Sequence, residues 1–478
     1  MTEKPEKLAG LAGLEPTTHC LEGSCSVQMS YRPVRKRGTL YHILAVCACT
    51  LALSLKGDTP RNVILFIGDG MSVSQRMVAE EFARKAGHGS LAMNSLPYQA
   101  TTRTCSVSSL VTDSAAAATA IACGVKTVNG AVGVDEKGAR VESCAEAAHH
   151  AGRRVGIVTS VTINHATPAG FYAHRKSRAM LYEIGLDLVR SGFDLFLGGG
   201  LAGANDKPER AEDAGDLYAY AASNGWHVCE GRAGLEAAPR DKPLWWRSGE
   251  QALPYAIDSR GDGTPRLPEL TRFALDRLGD NFFLMVEGGR IDWAGHANDA
   301  ATNLRDLLEL DDAVKVALDF CSSHPDTLVV VTGDHETGGM SLGFAGTGYA
   351  FYMERLAHQT CSAEAFRGRL AALQAKSFDE VKPLLTEAFG FKFDGDGTGD
   401  AMALSESEIE SLKRHFEKGD LDDRARRLMS EKAGVGWTSG SHTGLPALTT
   451  STGPGAEKFT GLLDNTDISR LIKAFYAP

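Results

Sequence analysis

Residues 111–119, Val-Thr-Asp-Ser-Ala-Ala-Ala-Ala-Thr, place one serine directly before a run of alanines. Alanine is the strongest helix former and has little bulk, so the run predicts a helix that lies flat on a sheet. Ser114 would then sit at the positive end of that helix, where unpaired N–H groups favour an anion or an attacking oxygen. The stretch alone leaves two interpretations open, an N-cap serine on a buried helix or a nucleophile.

Short apolar, β-branched runs elsewhere in the chain have the length and composition of buried strands. They lie at 62–67, 154–160, 194–197, 281–287 and 328–332. A helix predicted around 143–151 precedes the second run, which gives the repeating βα unit of a parallel sheet. We therefore expect an α/β fold, a three-layer α/β/α sandwich with a central, mostly parallel sheet.

Polar side chains follow the predicted strands, at the edge where α/β sheets bind their ligands. They are Asp69, Glu287, Asp292, His296, Asp334, His335 and His442, and the loops add Ser114, His165, Thr167 and Arg178. Imidazole with carboxylate suits zinc, whereas carboxylate with hydroxyl suits magnesium. Two cations could hold the attacking and leaving oxygens of a displacement at phosphorus. The set predicts a metal-dependent hydrolytic site.

Each of these residues also has an ordinary structural interpretation. Gly68-Asp69-Gly70 is a common turn sequence, and lone histidines are more often structural than ligands. Asp292 and His296, spaced i and i+4, could be a helix-surface pair instead of two ligands of one ion. Arg178 could lie on the surface of a helix that runs to Arg190. The agreement of several independent motifs at strand ends favours the metal site.

Composition excludes some classes of function. The chain has 478 residues, 43% of them hydrophobic, which is enough for one large domain with insertions. Its net charge of −10, with no basic block in the body of the chain, argues against a nucleic-acid partner. An acidic protein that binds an anionic substrate needs local positive charge, and bound metal ions are one source of it.

Residues 1–55 have the pattern of a leader, not of a folded segment. The basic cluster 32–37 precedes an apolar run at 40–55, as in a secretory signal, and Ala52-Leu53-Ser54 could be the cleavage site. Met29 directly precedes the basic cluster and is a candidate for the true start. The apolar run is short for a stable membrane span, so we expect export to the periplasm or the extracellular space.

Ten cysteines occur in the chain, four of them in the leader. The other six are Cys105, Cys123, Cys144, Cys229, Cys321 and Cys361. In an exported protein they could pair as disulfides or remain as buried thiols, and the sequence does not choose between these.

From about Asn62 to Asp467 the chain resembles the alkaline phosphatase family. Residues 111–119 resemble the nucleophile signature of that family, and 287–296, 331–339 and 441–444 resemble its metal motifs. The resemblance implies hydrolysis of phosphate monoesters in two in-line steps, through a phosphoserine at Ser114. It also implies that Arg178 holds the phosphate.

The resemblance further implies two zinc ions and one magnesium ion. Asp292, His296 and His442 would hold one zinc, and Asp69, Asp334 and His335 would hold the other. Asp69, Thr167 and Glu287 would hold the magnesium. Some family members carry aspartate where this chain has His165, and lysine or histidine where it has Trp293; both residues would lie just outside the ligands and affect metal preference and kinetics.

Residues 340–437 are an insertion within the domain predicted for 56–478. The insertion resembles the crown of the family, which covers the active site and often joins a homodimer interface. Rival functions remain: a phosphodiesterase of the same superfamily usually has a threonine nucleophile, and a sulfatase has a Cys- or Ser-x-Pro-x-Arg motif that residues 114–116 lack. A non-catalytic metal- or phosphate-binding protein would be expected to lose Ser114 or a metal ligand.

Overall fold

A computed structural model describes residues 59–203, 214–259, 261, 263–393 and 400–476. The predicted leader and the alternative start at Met29 lie outside these described residues. Residues 56–478 form one compact unit. Within the described part of the chain, no helix has the length and apolar character needed to cross a membrane.

Within the described residues, ten strands form the central sheet. They are β1 (Asn62–Gly68), β2 (Tyr98–Arg103), β3 (Arg154–Thr162), β4 (Leu195–Gly199), β5 (His227–Glu230), β6 (Leu244–Arg247), β7 (Phe282–Gly288), β8 (Thr327–Gly333), β13 (Ala447–Thr452) and β14 (Gly461–Asp464). Four two-residue strands lie outside this sheet: β9 (Glu336–Thr337), β10 (Ser341–Leu342), β11 (Val435–Gly436) and β12 (His442–Thr443). Their order is β14-β2-β13-β8-β1-β7-β3-β4-β6-β5. Only β13 runs against its neighbours, so the expected mostly parallel sheet is confirmed.

Alternate residues of the central strands face two separate cores. On β1, Ile64 and Phe66 pack on one side of the sheet, and Val63, Leu65 and Ile67 pack on the other. The helices that cover the first side are Val73–Lys85, Leu267–Leu278 and Ala300–Ser323. Those that cover the second side are Ser114–Cys123, Cys144–His150, Leu181–Arg190 and Asn465–Ala474. Helices on both faces make the molecule the three-layer sandwich that the βα pattern predicts.

Shorter helices complete the described chain. They are Ala166–Ala169, Leu217–Ser223, Gly231–Glu236 and Arg290–His296, with 3₁₀ turns at Ala92–Asn94, Met353–His358 and Ala456–Lys458. None of the six cysteines from Cys105 onward forms a disulfide, so within the described residues the free-thiol interpretation holds.

Within residues 340–437, antiparallel pairing of β10 with β11 brings the two ends of the segment together. Its helices are Ala363–Leu373, Phe378–Phe389, Glu406–Lys418 and Leu421–Ala433. Their apolar side chains, such as Phe366 and Leu428, join the same core as the helices on the first side of the sheet. That the segment acts as a crown stays a prediction.

The strand register brings the predicted site residues to one edge. Gly68 at the end of β1 lies level with Gly288 of β7 and Gly333 of β8. Because these strands are parallel, Asp69 and Asp334, the residues that follow β1 and β8, leave the sheet side by side. The turn that follows β1 packs tightly against Gly333, the last residue of β8, and leaves no room there for a side chain.

We expect Gly333→Ala to destabilise the fold strongly. An added Cβ would lie 1.8 Å from the Met71 carbonyl oxygen, and that backbone cannot move without shifting the Asp69 turn. The cost should be about 3 kcal/mol of unfolding free energy, measured by denaturant titration. Gly368→Ala is the matched control: it lies in the helix Ala363–Leu373 with open space around it and should stabilise by about 0.5 kcal/mol. Equal stability of the two variants would contradict the prediction.

Candidate functional site

Ser114 is the first residue of the helix Ser114–Cys123, and Asp113 is its N-cap. The Asp113 carboxylate accepts from the Ala116 N–H at 3.0 Å, so the alternative that Ser114 caps the helix is wrong. Ser114 is only 2% exposed. Its Oγ lies 3.2 Å from His335 Nε2. The serine therefore has a partner across the site, and the positive end of the helix lies beneath it.

His335 is surrounded by two carboxylates. Its Nε2 lies 3.3 Å from Asp69 Oδ1 and 3.2 Å from Asp334 Oδ2, and all three residues are fully buried. Asp334 Oδ1 accepts from the N–H groups of Gly70 and His335, which fixes the plane of the carboxylate. Asp69 Oδ1 and Asp334 Oδ2 have no hydrogen-bond partner. Two unpartnered oxygens and one ring nitrogen thus face a common point, as a cation's ligands do.

A second group shares His335 with the first and includes Asp292 and His442. Asp292 lies on the helix Arg290–His296. One of its carboxylate oxygens lies within 4.8 Å of a ring nitrogen of His335 and of a ring nitrogen of His442. His296 adjoins the group, with Nε2 3.4 Å from Asp292 Oδ2 and 3.1 Å from His442 Nε2. His296 and His442 direct their Nδ1 atoms to the carbonyls of Gly440 (2.8 Å) and Thr112 (2.9 Å).

These contacts to carbonyl oxygens settle the orientation of both rings. A carbonyl only accepts, so Nδ1 of His296 and of His442 carries the proton and each Nε2 is left with a lone pair. The i and i+4 pair on the helix therefore points inward, toward the group, and is not an isolated surface pair.

A third group joins Asp69, His165 and Glu287, whose ligand atoms also lie within 4.8 Å of one another. Thr167 donates its hydroxyl to Asp69 Oδ2 at 3.2 Å, and Thr159 donates to Glu287 Oε2. Glu287 Oε1 has no hydrogen-bond partner and neither has His165 Nδ1. Asp69 belongs to two of the three groups and therefore links them.

Three carboxylates of the site strongly resist ionisation when no cation balances them. Burial, followed by the charges of Asp334, Asp292 and Glu287, raises the pKa of Asp69 well above its ordinary value. Burial raises the pKa of Glu287 to about 8 and that of Asp334 to about 7. Buried carboxylates placed this close together are stable as anions only beside positive charge. The donor set therefore fits divalent cations.

The rings of two histidines are held neutral. Burial, and then the neighbouring His442, lowers the pKa of His335 well below its ordinary value. Burial, and then the charge of Arg178, lowers the pKa of His165 to about 3. A neutral imidazole has a free lone pair, which a metal ligand needs. Burial alone would raise the pKa of Asp292, but the neighbouring His442 and His296 outweigh that effect, so its pKa lies below the ordinary value and the carboxyl is ionised.

Arg178 precedes the helix Leu181–Arg190, so the interpretation as a residue on that helix is wrong. Its guanidinium lies 3.3 Å from Asp113 Oδ2 and donates to His165 Nε2 at 3.1 Å. These contacts place a half-buried positive charge next to the residue before Ser114.

The Trp293 ring meets the His165 ring edge-on, with 5.9 Å between centroids.

The structure brings all the predicted site residues together and adds three that the sequence reasoning missed. Asp113 caps the Ser114 helix, Thr159 bonds Glu287, and Thr337 bonds Asp292. Asp before an alanine run is a common N-cap pattern, so Asp113 could have been found. Thr159 and Thr337 carry no sequence signal, because their partners are far along the chain.

The chain is similar to known proteins both in sequence and in fold. The sequence profile of the alkaline phosphatase family matches residues 60–477. Alkaline phosphatase 3 of Bacillus subtilis is 33% identical over 429 residues, 86% of this chain and 88% of that protein. The crystal structure of Thermus thermophilus alkaline phosphatase is 32% identical with a TM-score of 0.74, over 87% of this chain and 90% of that chain.

One of the similar solved structures holds a metal ion. It is a histidine-to-glutamate mutant of the TAB5 alkaline phosphatase with Mg bound in the M3 site, 28% identical with a TM-score of 0.63, over 88% of this chain and 99% of that chain. The profile match spans most of the chain, and the relatives are matched over most of their own length. The chain belongs to the alkaline phosphatase family, the enzymes that hydrolyse phosphate monoesters.

Proposed function

We propose that this enzyme works through a phosphoserine on Ser114. The observation that supports this most directly is the Ser114 Oγ, 3.2 Å from His335 Nε2 and beside two unpartnered carboxylate oxygens. A hydroxyl among cation ligands and at a helix N-terminus is placed to attack phosphorus. The rival nucleophile of the diesterases, threonine, does not occupy this position.

Named residues of this chain would bind the phosphate and carry the two steps of the reaction. Arg178 donates to two oxygens of the phosphate, for which the planar guanidinium fork is suited. Ser114 Oγ loses its proton and bonds to phosphorus as the bond to the alcohol oxygen breaks, and the alcohol takes up a proton and leaves. The oxygen of a water molecule then bonds to phosphorus as the bond to Ser114 Oγ breaks, which releases inorganic phosphate and leaves the serine protonated again. In both steps the Ser114–Cys123 helix offsets negative charge at its N-terminus.

We propose two zinc ions and one magnesium ion as the cations. His296, His442 and Asp292 would hold one zinc, and His335, Asp69 and Asp334 the other, since imidazole with carboxylate suits zinc. The magnesium ligands would be Asp69, Glu287 and Thr167, which supply oxygen, with His165 and Trp293 next to them. Divalent cations bound there would lower the pKa of the serine hydroxyl and of water and offset the charge of the phosphate.

Chelation tests the cation proposal. We expect hydrolysis of an aryl phosphate at alkaline pH to fall to background after chelation and to return when zinc is added. Magnesium alone should restore little, and magnesium with zinc should restore the full rate. An aryl phosphate diester run in parallel should release its phenol far more slowly than the monoester. Activity that survives chelation, or a faster diester reaction, would refute the proposed chemistry.

We also propose that the protein is exported and forms a homodimer. Support for export is the basic and apolar pattern of the leader. Support for a dimer comes from the insertion, where Phe344, Tyr349, Phe351 and Tyr352 are exposed large side chains within a short stretch. Sedimentation of the purified protein and sequencing of its N-terminus would test the two proposals.

A further inference from the structure

Thr337 forms a bridge between two of the three groups. It belongs to β9, is fully buried, and follows His335 by two residues. Its Oγ1 donates to Asp292 Oδ1 at 2.5 Å and lies 3.3 Å from His335 Nδ1. Asp292 belongs to the group with His442, whereas His335 also belongs to the group with Asp69 and Asp334. One hydroxyl therefore contacts ligands of both candidate zinc sites.

The proton count of this bridge fixes the state of His335. A hydroxyl has one proton, and the Asp292 carboxylate, which only accepts, receives it. The Thr337 oxygen can then only accept from His335, so Nδ1 of that ring carries the proton. Nε2 is left with its lone pair directed at Asp69, Asp334 and Ser114.

We infer that Thr337 is a positioning residue: its hydroxyl fixes the orientation of both the His335 ring and the Asp292 carboxylate, so that both candidate zinc sites depend on it. The inference rests on the proposed function, because it assumes that these residues bind zinc. Hydrogen bonds to the outer atoms of metal ligands orient them, and their loss costs about 10–100-fold in metal affinity. Here one such residue serves two sites, so its loss should weaken both.

The backbone around Thr337 is held by other contacts. Thr337 pairs with His442 in the β9–β12 ladder. The neighbouring Glu336 carboxylate accepts from Gln75, Thr443 and the N–H groups of Gly339 and Met340. Replacing the hydroxyl by a methyl of similar size should therefore leave the chain in place. Thr337→Val removes the bridge without opening a cavity, and Thr337→Ser keeps the hydroxyl.

The test is zinc binding to the chelator-stripped protein, titrated against a competing chromogenic chelator. Wild type should bind two zinc ions tightly at these sites. Thr337→Val should bind both about 10–100-fold more weakly, and Thr337→Ser should recover most of the affinity. Thr271→Val is the matched control, because this buried threonine donates its hydroxyl to the Leu267 carbonyl within its own helix, away from the site. The Thr271→Val protein should bind zinc with the affinities of wild type.

The possible results distinguish a failure of this inference from a failure of the proposed function. Failure of wild type to bind zinc would refute the proposed cation set. Wild-type affinity in Thr337→Val, with zinc bound normally, would refute the bridge alone. Equal loss in the valine and serine variants would also refute it, because the effect would then follow packing and not the hydroxyl.

Discussion

Ser114→Ala is expected to lower kcat for an aryl phosphate monoester by at least about 10³-fold while the zinc content stays near that of wild type. The variant removes only the Oγ that would bond to phosphorus. The side chains of His335, Asp69 and Asp334 keep their positions, because contacts with residues other than Ser114 hold them. The measurements are steady-state kinetics and metal analysis of the same preparation.

A second readout identifies the covalent step. Acid quenching of wild type with labelled substrate should leave label on the protein, and Ser114→Ala should leave none. Ser469→Ala is the matched control, since that buried serine donates to the Ala122 carbonyl at the other end of the same helix. It should cost about 1 kcal/mol of stability and little activity. Full activity in Ser114→Ala would rule out this nucleophile.

Asp334→Ala is expected to lose both zinc and rate. Its Oδ2 faces the cation group without a hydrogen-bond partner, and its Oδ1 holds the Gly70 and His335 N–H groups. Alanine removes the charge and both hydrogen bonds, so a lower unfolding free energy is expected too, by about 2–4 kcal/mol. Metal analysis and kinetics measure the first effects, and denaturant titration measures the last.

Asp334→Asn separates charge from structure. Its amide oxygen can still accept from the two N–H groups, so the fold should keep most of its stability, but zinc affinity should fall because a neutral ligand replaces an anion. Asp311→Asn is the control. That buried carboxylate also accepts two backbone N–H groups, from Ala92 and Met93, and lies outside the site. It should leave zinc content unchanged; normal zinc in Asp334→Asn would show that Asp334 is not a ligand.

The sequence alone determined the sheet and the edge at which the site lies. Apolar β-branched runs such as 328–332 have the pattern of buried parallel strands, and the polar residues that follow them must emerge at the carboxyl edge of the sheet. The types of those residues, carboxylate with imidazole, also limit the chemistry to a few metals. These properties are local, since each depends on a run of consecutive residues.

Tertiary structure alone decided which residues lie together as candidate ligands and which ring nitrogen of each histidine carries the proton. His335 lies between Asp334, its neighbour in sequence, and Asp69, Asp292 and His442, which are distant in the chain. The hydroxyl of Thr337 reaches Asp292 across 45 positions, and the sequence contains no sign of that contact. Hydrogen bonds and charge pairs depend on distances of a few ångströms. Strand register and loop closure set those distances, and no run of consecutive residues contains them.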